Sequence, residues 1–207
     1  MKIGILGAGR IGGALGKLWG AGGHDIMFGV RNPQSSEVKT LLDSIGAKAR
    51  AGAMAEVAAF GEVVLLAVPG GAAQEVIEQV DDWHGKILID ATNRMGPLLP
   101  GSSPSAAEDI AAWAIGAKVV KAFNSTGVGN LVNPHFGSQR ADAYVCGDDE
   151  AAKAIVTELA QTIGFEVVDA GPLSNAGLLE SLAKLWVQLA YSQGLGPDIA
   201  FKLLRRS

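Results

Sequence analysis

Three glycines make the first chemical statement of this sequence: Gly7, Gly9 and Gly12 lie in the run Gly7-Ala8-Gly9-Arg10-Ile11-Gly12, between an apolar stretch, Lys2 to Leu6, and a helical one. A G-x-G-x-x-G spacing set between a strand and a helix is the pattern of a dinucleotide-binding turn. Gly7 permits the tight turn, Gly9 lets backbone approach a pyrophosphate, and Gly12 lets the helix pack on the strand. The N-terminus of that helix then faces the phosphates.

An acidic residue about 20 positions on, at the end of the second strand, would hold the ribose hydroxyls of NAD. It is missing. The second strand reads as Ile26 to Gly29 and runs into Val30-Arg31-Asn32-Pro33-Gln34-Ser35-Ser36. A guanidinium, an amide and hydroxyls take the place of the carboxylate. A carboxylate would repel the 2′-phosphate of NADP, whereas Arg31 can pair with it and stack on the adenine. The expected nucleotide is NADP, with Asn32 and Ser35 beside Arg31. Asp25 precedes the strand and is discounted, and the plainer reading of Arg31 is a solvated loop charge.

The elements that must position these groups follow from the apolar pattern. Continuous apolar strands indicate a parallel sheet covered on both faces. They recur at Glu62 to Val68, Lys86 to Asp90 and Ala117 to Ala122, with an extended piece near Ala47 to Arg50. Helices are expected over Met54 to Phe60, Ala73 to Val80 and Ala106 to Ala114, and Arg94 to Ser105 forms a long loop suited to a lid. The fold class is α/β: a Rossmann-type, doubly wound, mostly parallel sheet with a C-terminal helical extension. Residues 1–207 read as a single domain whose extension, from about residue 140, holds strands Ala143 to Gly147 and Glu166 to Ala170. Helices Glu150 to Ile163 and one after Leu173 complete it. Ligands of such sheets lie outside the carboxyl ends of the strands. That puts Val68-Pro69, Thr92-Asn93 and Phe123-Asn124-Ser125-Thr126 around the ribose and nicotinamide, although short polar residues at strand ends also cap helices. Leu178, Leu182, Leu185, Trp186 and Leu189 recur at helical spacing, for which core burial is the default account. With Tyr191 nearby, a homodimer contact is the other reading.

Composition narrows the function. The 207 residues carry a net charge of −4 with 18% charged residues, which gives no basic stripe for nucleic acid and no polybasic membrane anchor. Cys146 is the single cysteine, and His24, His84 and His135 lack ligand spacing, so no metal is expected. No apolar run approaches the roughly 20 residues of a bilayer span. The first strand begins at residue 2, which leaves no room for a signal peptide. A soluble, cytoplasmic protein is the expectation.

Carbonyl reduction needs a proton donor beside the hydride acceptor. Tyr144 and Tyr191 have no lysine four residues on, and His135, the imidazole nearest a cofactor loop in sequence, reads as a solvated loop residue. No catalytic residue is therefore nominated. Hydride exchange between two redox cofactors needs none, because the rings carry the chemistry and the protein aligns them.

Cys146-Gly147-Asp148-Asp149-Glu150-Ala151-Ala152-Lys153, Asp169-Ala170-Gly171-Pro172-Leu173-Ser174-Asn175 and Leu179-Glu180-Ser181-Leu182 resemble the NADP oxidoreductase family that uses the deazaflavin coenzyme factor 420. The likeness runs from the glycine fingerprint to Phe201-Lys202-Leu203-Leu204. It implies hydride transfer between NADP(H) and the deazaflavin, with NADP on Gly9, Arg10, Ile11 and Arg31 and the nicotinamide near Pro69 and Asn124. It also implies an acceptor side formed by Ser174, Leu195 and Gly196, whose surroundings read otherwise as simple turns. The fingerprint loop is one residue shorter than in archaeal members, Val30 replaces a serine, and a lysine is lost near Ser35. These departures point to dual use of NADP and NAD. Lys121-Ala122-Phe123-Asn124-Ser125-Thr126 is similar instead to the reductase domain of membrane metalloreductases, which passes electrons from NADPH to flavin. The acceptor is thus a small redox molecule: deazaflavin, flavin or quinone. The competing functions are an NADPH sensor without turnover and a reductase of a small imine or carbonyl.

Overall fold

The computed structural model describes residues 1–97 and 101–206. Its eight-stranded sheet is ordered β10-β9-β6-β5-β4-β1-β2-β3. The first three strands are β1 (Lys2–Leu6), β2 (Asp25–Gly29) and β3 (Ala49–Gly52), and the next three are β4 (Val63–Leu66), β5 (Ile87–Asp90) and β6 (Lys118–Lys121). All six run parallel. The chain leaves β1 toward β2 and β3 on one side and returns to build β4, β5 and β6 on the other. The crevice between β1 and β4 is therefore the topological switch point at which doubly wound sheets take their ligands.

Beyond β6 a two-stranded hairpin, β7 (His135–Phe136) and β8 (Gln139–Arg140), precedes β9 (Asp142–Gly147), which pairs antiparallel with β6. β10 (Glu166–Asp169) then lies parallel to β9 at the sheet edge. The sheet is mostly parallel, as expected. β1 has its expected bounds, β2 and β9 begin one residue earlier, β4, β5, β6 and β10 are trimmed by one or two residues at one or both ends, and the expected piece at Ala47 to Arg50 is shifted to Ala49–Gly52.

Helices cover both faces. On one lie α1 (Arg10–Ala21), α2 (Ser36–Ile45), α6 (Val128–Val132) and α7 (Glu150–Thr162); on the other lie α3 (Met54–Phe60), α4 (Ala73–Ile77), α5 (Ala106–Trp113) and α8 (Ala176–Val187). α2 and α6 escaped the sequence reading: α2 shows Val38, Leu41, Leu42 and Ile45 at helical spacing, packed on the first core, a signal passed over, and α6 is barely more than a turn. Strand side chains alternate between two cores, Ile3, Ile5 and Phe28 meeting Leu15, Trp19 and Leu159 on one side, Leu6, Leu66 and Leu88 meeting Val57, Ile77 and Ile110 on the other. The Trp19 indole donates to Leu159 O across 3.2 Å, tying the first helix to the C-terminal extension.

The leucine stripe of the last helix is a correction. Leu178 is 68% and Leu185 47% exposed, while Ala176, Leu179, Glu180, Ala183 and Trp186 face inward. The buried face is offset by one position: Leu179 and Ala183 are buried where Leu178 is exposed and Leu182 half-buried, and of the expected stripe Trp186 is buried. Among the described residues no helix is long and apolar enough to cross a membrane.

Candidate functional site

The phosphate end is built from backbone. Gly7 has φ +108°, a left-handed value that a side chain disfavours, and a Cβ there would lie 2.6 Å from Ala67 O. A Cβ on Gly12 would come within 2.1 Å of Gly7 O and 3.1 Å of Ile5 Cγ2. The third glycine thus protects the turn's own carbonyl first and the helix-to-strand contact second. Gly9 differs: a Cβ there would meet nothing within 4 Å. Its hydrogen faces open space, and as the N-cap of α1 it brings no capping side chain. The first-turn N–H groups of Arg10, Ile11 and Gly12 are available to an anion. A cavity of about 340 Å³ opens here, lined by Gly7, Gly9, Val30, Arg31, Val68 and Pro69 among others. The residues present fit a dinucleotide phosphate.

Arg31 is exposed at the mouth of this cavity. Asn32 and Ser35 are already engaged: Asn32 Oδ1 accepts from Gln34 N at 3.1 Å, and Ser35 Oγ caps α2 by accepting from Val38 N at 3.3 Å. Either can add a ligand contact only through its remaining polar capacity.

The other end is built from side chains. Asp90 and Lys121, the last residues of β5 and β6, stand side by side in register. Lys121 Nζ donates to Asp90 Oδ2 at 2.7 Å, Thr92 O at 2.6 Å and Glu180 Oε1 at 3.0 Å, so each ammonium proton has an acceptor. The Lys121 and Asp90 side chains are fully buried and that of Glu180 is 4% exposed. Above this cluster Asn93 and Asn124 pair: Asn124 Nδ2 donates to Asn93 Oδ1 at 2.9 Å and to Leu179 O at 3.1 Å, and Asn93 Nδ2 donates to Asn124 O at 2.9 Å. Phe123, with φ 61°, is the one non-glycine in the left-handed region among the described residues. Such a conformation costs roughly 1–3 kcal/mol and persists only where packing enforces it. Here the Phe123 ring is buried edge-on against Trp19 at 5.8 Å.

Two buried polar atoms at this end lack any partner, Thr92 Oγ1 and Asn124 Oδ1. Buried polar atoms are nearly always satisfied, so an orphaned pair at the carboxyl ends of neighbouring strands suits a polar ligand edge. Thr126 does not join them, since its hydroxyl accepts from Asn130 Nδ2 at 2.8 Å and anchors α6. A second cavity, about 490 Å³, lies beyond the Pro69 to Ala72 turn and is lined by Gln74, Asn93, Arg94, Asp109 and Trp113 among others. Of the Arg94 to Ser105 loop, 98–100 fall outside the described residues. Its ends are held by Arg94, which donates to Ser103 O, Ser105 O and the Asp109 carboxylate.

Asp169 to Asn175 is a self-bonded turn. Asp169 accepts from Gly171 N and Lys153 Nζ, and Asn175 Nδ2 donates to Ala170 O at 2.6 Å. Burial pushes the Asp169 carboxyl up, but the Lys153 ammonium and the Gly171 N–H outweigh it and hold it below the usual range. Ser174 is exposed just before α8, while Leu195 and Gly196 follow its far end, where Leu195 N and Gly196 N donate to Leu189 O and Ala190 O. About 20 Å of helix separates them at 1.5 Å per residue, so one ring does not reach both within a single chain. His135 lies in the β7–β8 hairpin against Gly164. Burial pushes the Cys146 thiol up to about 12, which makes it inert. Among the described residues no three His, Cys, Asp or Glu side chains converge as metal ligands.

Sequence reading missed Asp90, Lys121 and Glu180. The available signal was two neighbouring apolar strands ending in opposite charges, with one carboxylate inside an otherwise apolar helical turn.

Comparison with known proteins fits this geometry. Residues 2–94 match the family described as NADP oxidoreductase, coenzyme F420-dependent. The metalloreductase STEAP3 of Rattus norvegicus is 30% identical over 182 residues, 87% of this chain and 36% of that protein, so the chain spans about a third of that relative's length. The F420-dependent NADP reductase of Methanocaldococcus jannaschii is 29% identical, covering 91% of this chain and 92% of that protein. A crystal structure from Arthrobacter sp. fb24, provisionally assigned as an F420-dependent NADP-reductase, superposes with a TM-score of 0.86 at 29% identity over 99% of this chain and 100% of that one.

Proposed function

We propose, from the match of residues 2–94 to the family described as coenzyme F420-dependent NADP oxidoreductase, that the protein exchanges hydride between NADP(H) and a deazaflavin or flavin. The observation that carries the reading is the pairing of a vacant-sided Gly9 at the head of α1 with two unpartnered buried acceptors, Thr92 Oγ1 and Asn124 Oδ1, at the strand ends beyond it. The N–H groups of Arg10, Ile11 and Gly12 bind the pyrophosphate, and Arg31 pairs with the 2′-phosphate. Val68 and Pro69 line the path between them and the strand ends. Asn124 and Thr92 receive the donors of the carboxamide and ribose, and the Asn93–Asn124 pair holds their orientation.

When bound, NADPH supplies a hydride from nicotinamide C4. With a deazaflavin or flavin as acceptor, hydride would go to that ring and the accompanying proton would come from solvent, so this chain's residues would supply alignment rather than a proton. The acceptor enters the 490 Å³ cavity, which Asn93 shares with the nicotinamide end. A homodimer forms part of the proposal, supported by the exposed Leu178, Leu185, Tyr191 and Leu195. Sedimentation equilibrium showing a monomer at micromolar concentration removes that part.

Calorimetric titration with NADPH and NADH, followed by oxidised deazaflavin while its absorbance is monitored, tests the reading. NADPH binding and bleaching are expected. Arg31→Ala weakens NADPH by about 1.5–3 kcal/mol, the scale of a hydrogen bond to a charged group, and leaves NADH nearly unchanged. Binding without bleaching transfers the acceptor role to flavin, and failure with flavin as well leaves a sensor. No binding of either nucleotide overturns the proposal.

A further inference from the structure

We infer that Glu180, working through Lys121 and Asp90, is a positioning residue: it holds the backbone of residues 92–94 in the conformation that meets the nicotinamide end of the dinucleotide. This rests on the NADP reading above and assigns the C-terminal helix a part in that site.

The network is aimed at backbone. Asp90 Oδ1 accepts from Thr92 N at 2.8 Å, Lys121 Nζ donates to Thr92 O, and Glu180 Oε2 accepts from Arg94 N at 3.4 Å. Both backbone groups of Thr92 and the N–H of Arg94 are thus fixed by buried charges on either side of Asn93. Glu180 Oε1, besides facing Lys121, accepts from Ala106 N at 2.8 Å and secures the start of α5. One turn of α8 therefore grips the loop after β5, the helix that follows it, and, through Leu179 O, the amide of Asn124.

Stability does not explain such a cluster. Three desolvated charges lose hydration that their mutual attraction barely restores, and apolar replacements of similar volume are often neutral or stabilising. What the charges provide is direction, because each oxygen and ammonium proton admits one arrangement of the loop. Thr92 Oγ1 and Asn124 Oδ1, the two unpartnered acceptors, flank the residue the network pins. By contrast, nothing in the network reaches the glycine turn or Arg31.

The experiment compares NADPH with 2′-phospho-ADP-ribose, which keeps the adenosine, the 2′-phosphate and the diphosphate but lacks nicotinamide. Wild type is expected to bind NADPH more tightly. In Glu180→Gln the amide presents its carbonyl to Lys121 and Ala106 N and turns its NH₂ toward Arg94 N, which loses its acceptor. The analogue then binds as in wild type, while the NADPH advantage shrinks about tenfold, the effect of one misdirected hydrogen bond. The variant Glu180→Asp, which keeps the charge beside Lys121 but shortens the reach to Arg94 N, serves if the amide variant folds poorly, and it shows the same selective loss. An unchanged NADPH advantage in either variant, an equal loss for both ligands, or no advantage in wild type overturns the inference. Failure of wild type to bind either ligand overturns the NADP reading itself, and the inference with it.

Discussion

The two ends of the cleft are made differently. The phosphate end uses Gly7, Gly9, Gly12 and free N–H groups, with one exposed charge, Arg31, at its mouth. The end proposed for the nicotinamide uses Asp90, Lys121 and Glu180, all buried, beneath an amide pair and a strained Phe123. A diphosphate is strongly charged, and a helix N-terminus with empty space beside it is enough to hold it. A nicotinamide ring, uncharged when reduced and singly cationic when oxidised, offers far less to grip, so its orientation has to be imposed by a fixed scaffold. The difference teaches that charge on the ligand lets the protein do without buried charge, and the reverse.

Lys121→Ala breaks this contrast hardest. It leaves Asp90 and Glu180 buried without a cation, and unfolding in urea should show a loss of about 3–5 kcal/mol, the cost of stranding one side of a buried pair. A loss under about 1 kcal/mol means water reaches the cluster and the nicotinamide end is not dry.

The glycine turn should separate binding from folding. Gly12→Ala forces a methyl onto Gly7 O and is expected to cost about 1–3 kcal/mol of stability, as overpacking does. Gly9→Ala meets open space and should leave the melting temperature unchanged while weakening NADPH, since its methyl occupies the room left for the pyrophosphate. Equal melting shifts for the two would remove the distinction between a structural and a ligand-facing glycine.

Acid should give the smallest effect and spare the glycine turn. Asp169 is held below its ordinary value of 3.8, so the stability its bonds to Lys153 and Gly171 provide is complete above that pH and is lost as pH falls through the lower folded value. The protection factor at Gly171, its exchange rate relative to the intrinsic rate at the same pH, should fall below about pH 4, while amides of the glycine turn, which lacks a carboxylate, keep theirs. Simultaneous loosening of both regions would mean that they unfold as one unit.

The phosphate end was legible because its requirements are local. A strand, three glycines and a helix lie within Lys2 to Ala21, and the missing acid after β2 lies at a fixed distance from them. The alternation of apolar runs gave the doubly wound sheet for the same reason. The β7–β8 hairpin, with two residues per strand, left no periodic trace, whereas α2 carries Val38, Leu41, Leu42 and Ile45 at helical spacing that the sequence reading passed over. Ser35 and Thr126 look like ligand groups in sequence, yet the structure employs the first in a helix cap and the second in anchoring Asn130.

The sequence by itself determined the sheet and the glycine turn, and it put Arg31 where a carboxylate would hold the ribose of NAD, because each depends on neighbours along the chain. Only the tertiary structure decided which face of the last helix is buried, and that Glu180 from that helix meets Lys121 and Asp90 beneath Asn93. Those contacts join positions as many as 90 residues apart, from Asp90 to Glu180, and a charge inside an apolar segment shows its purpose only when its partner arrives from elsewhere in the fold.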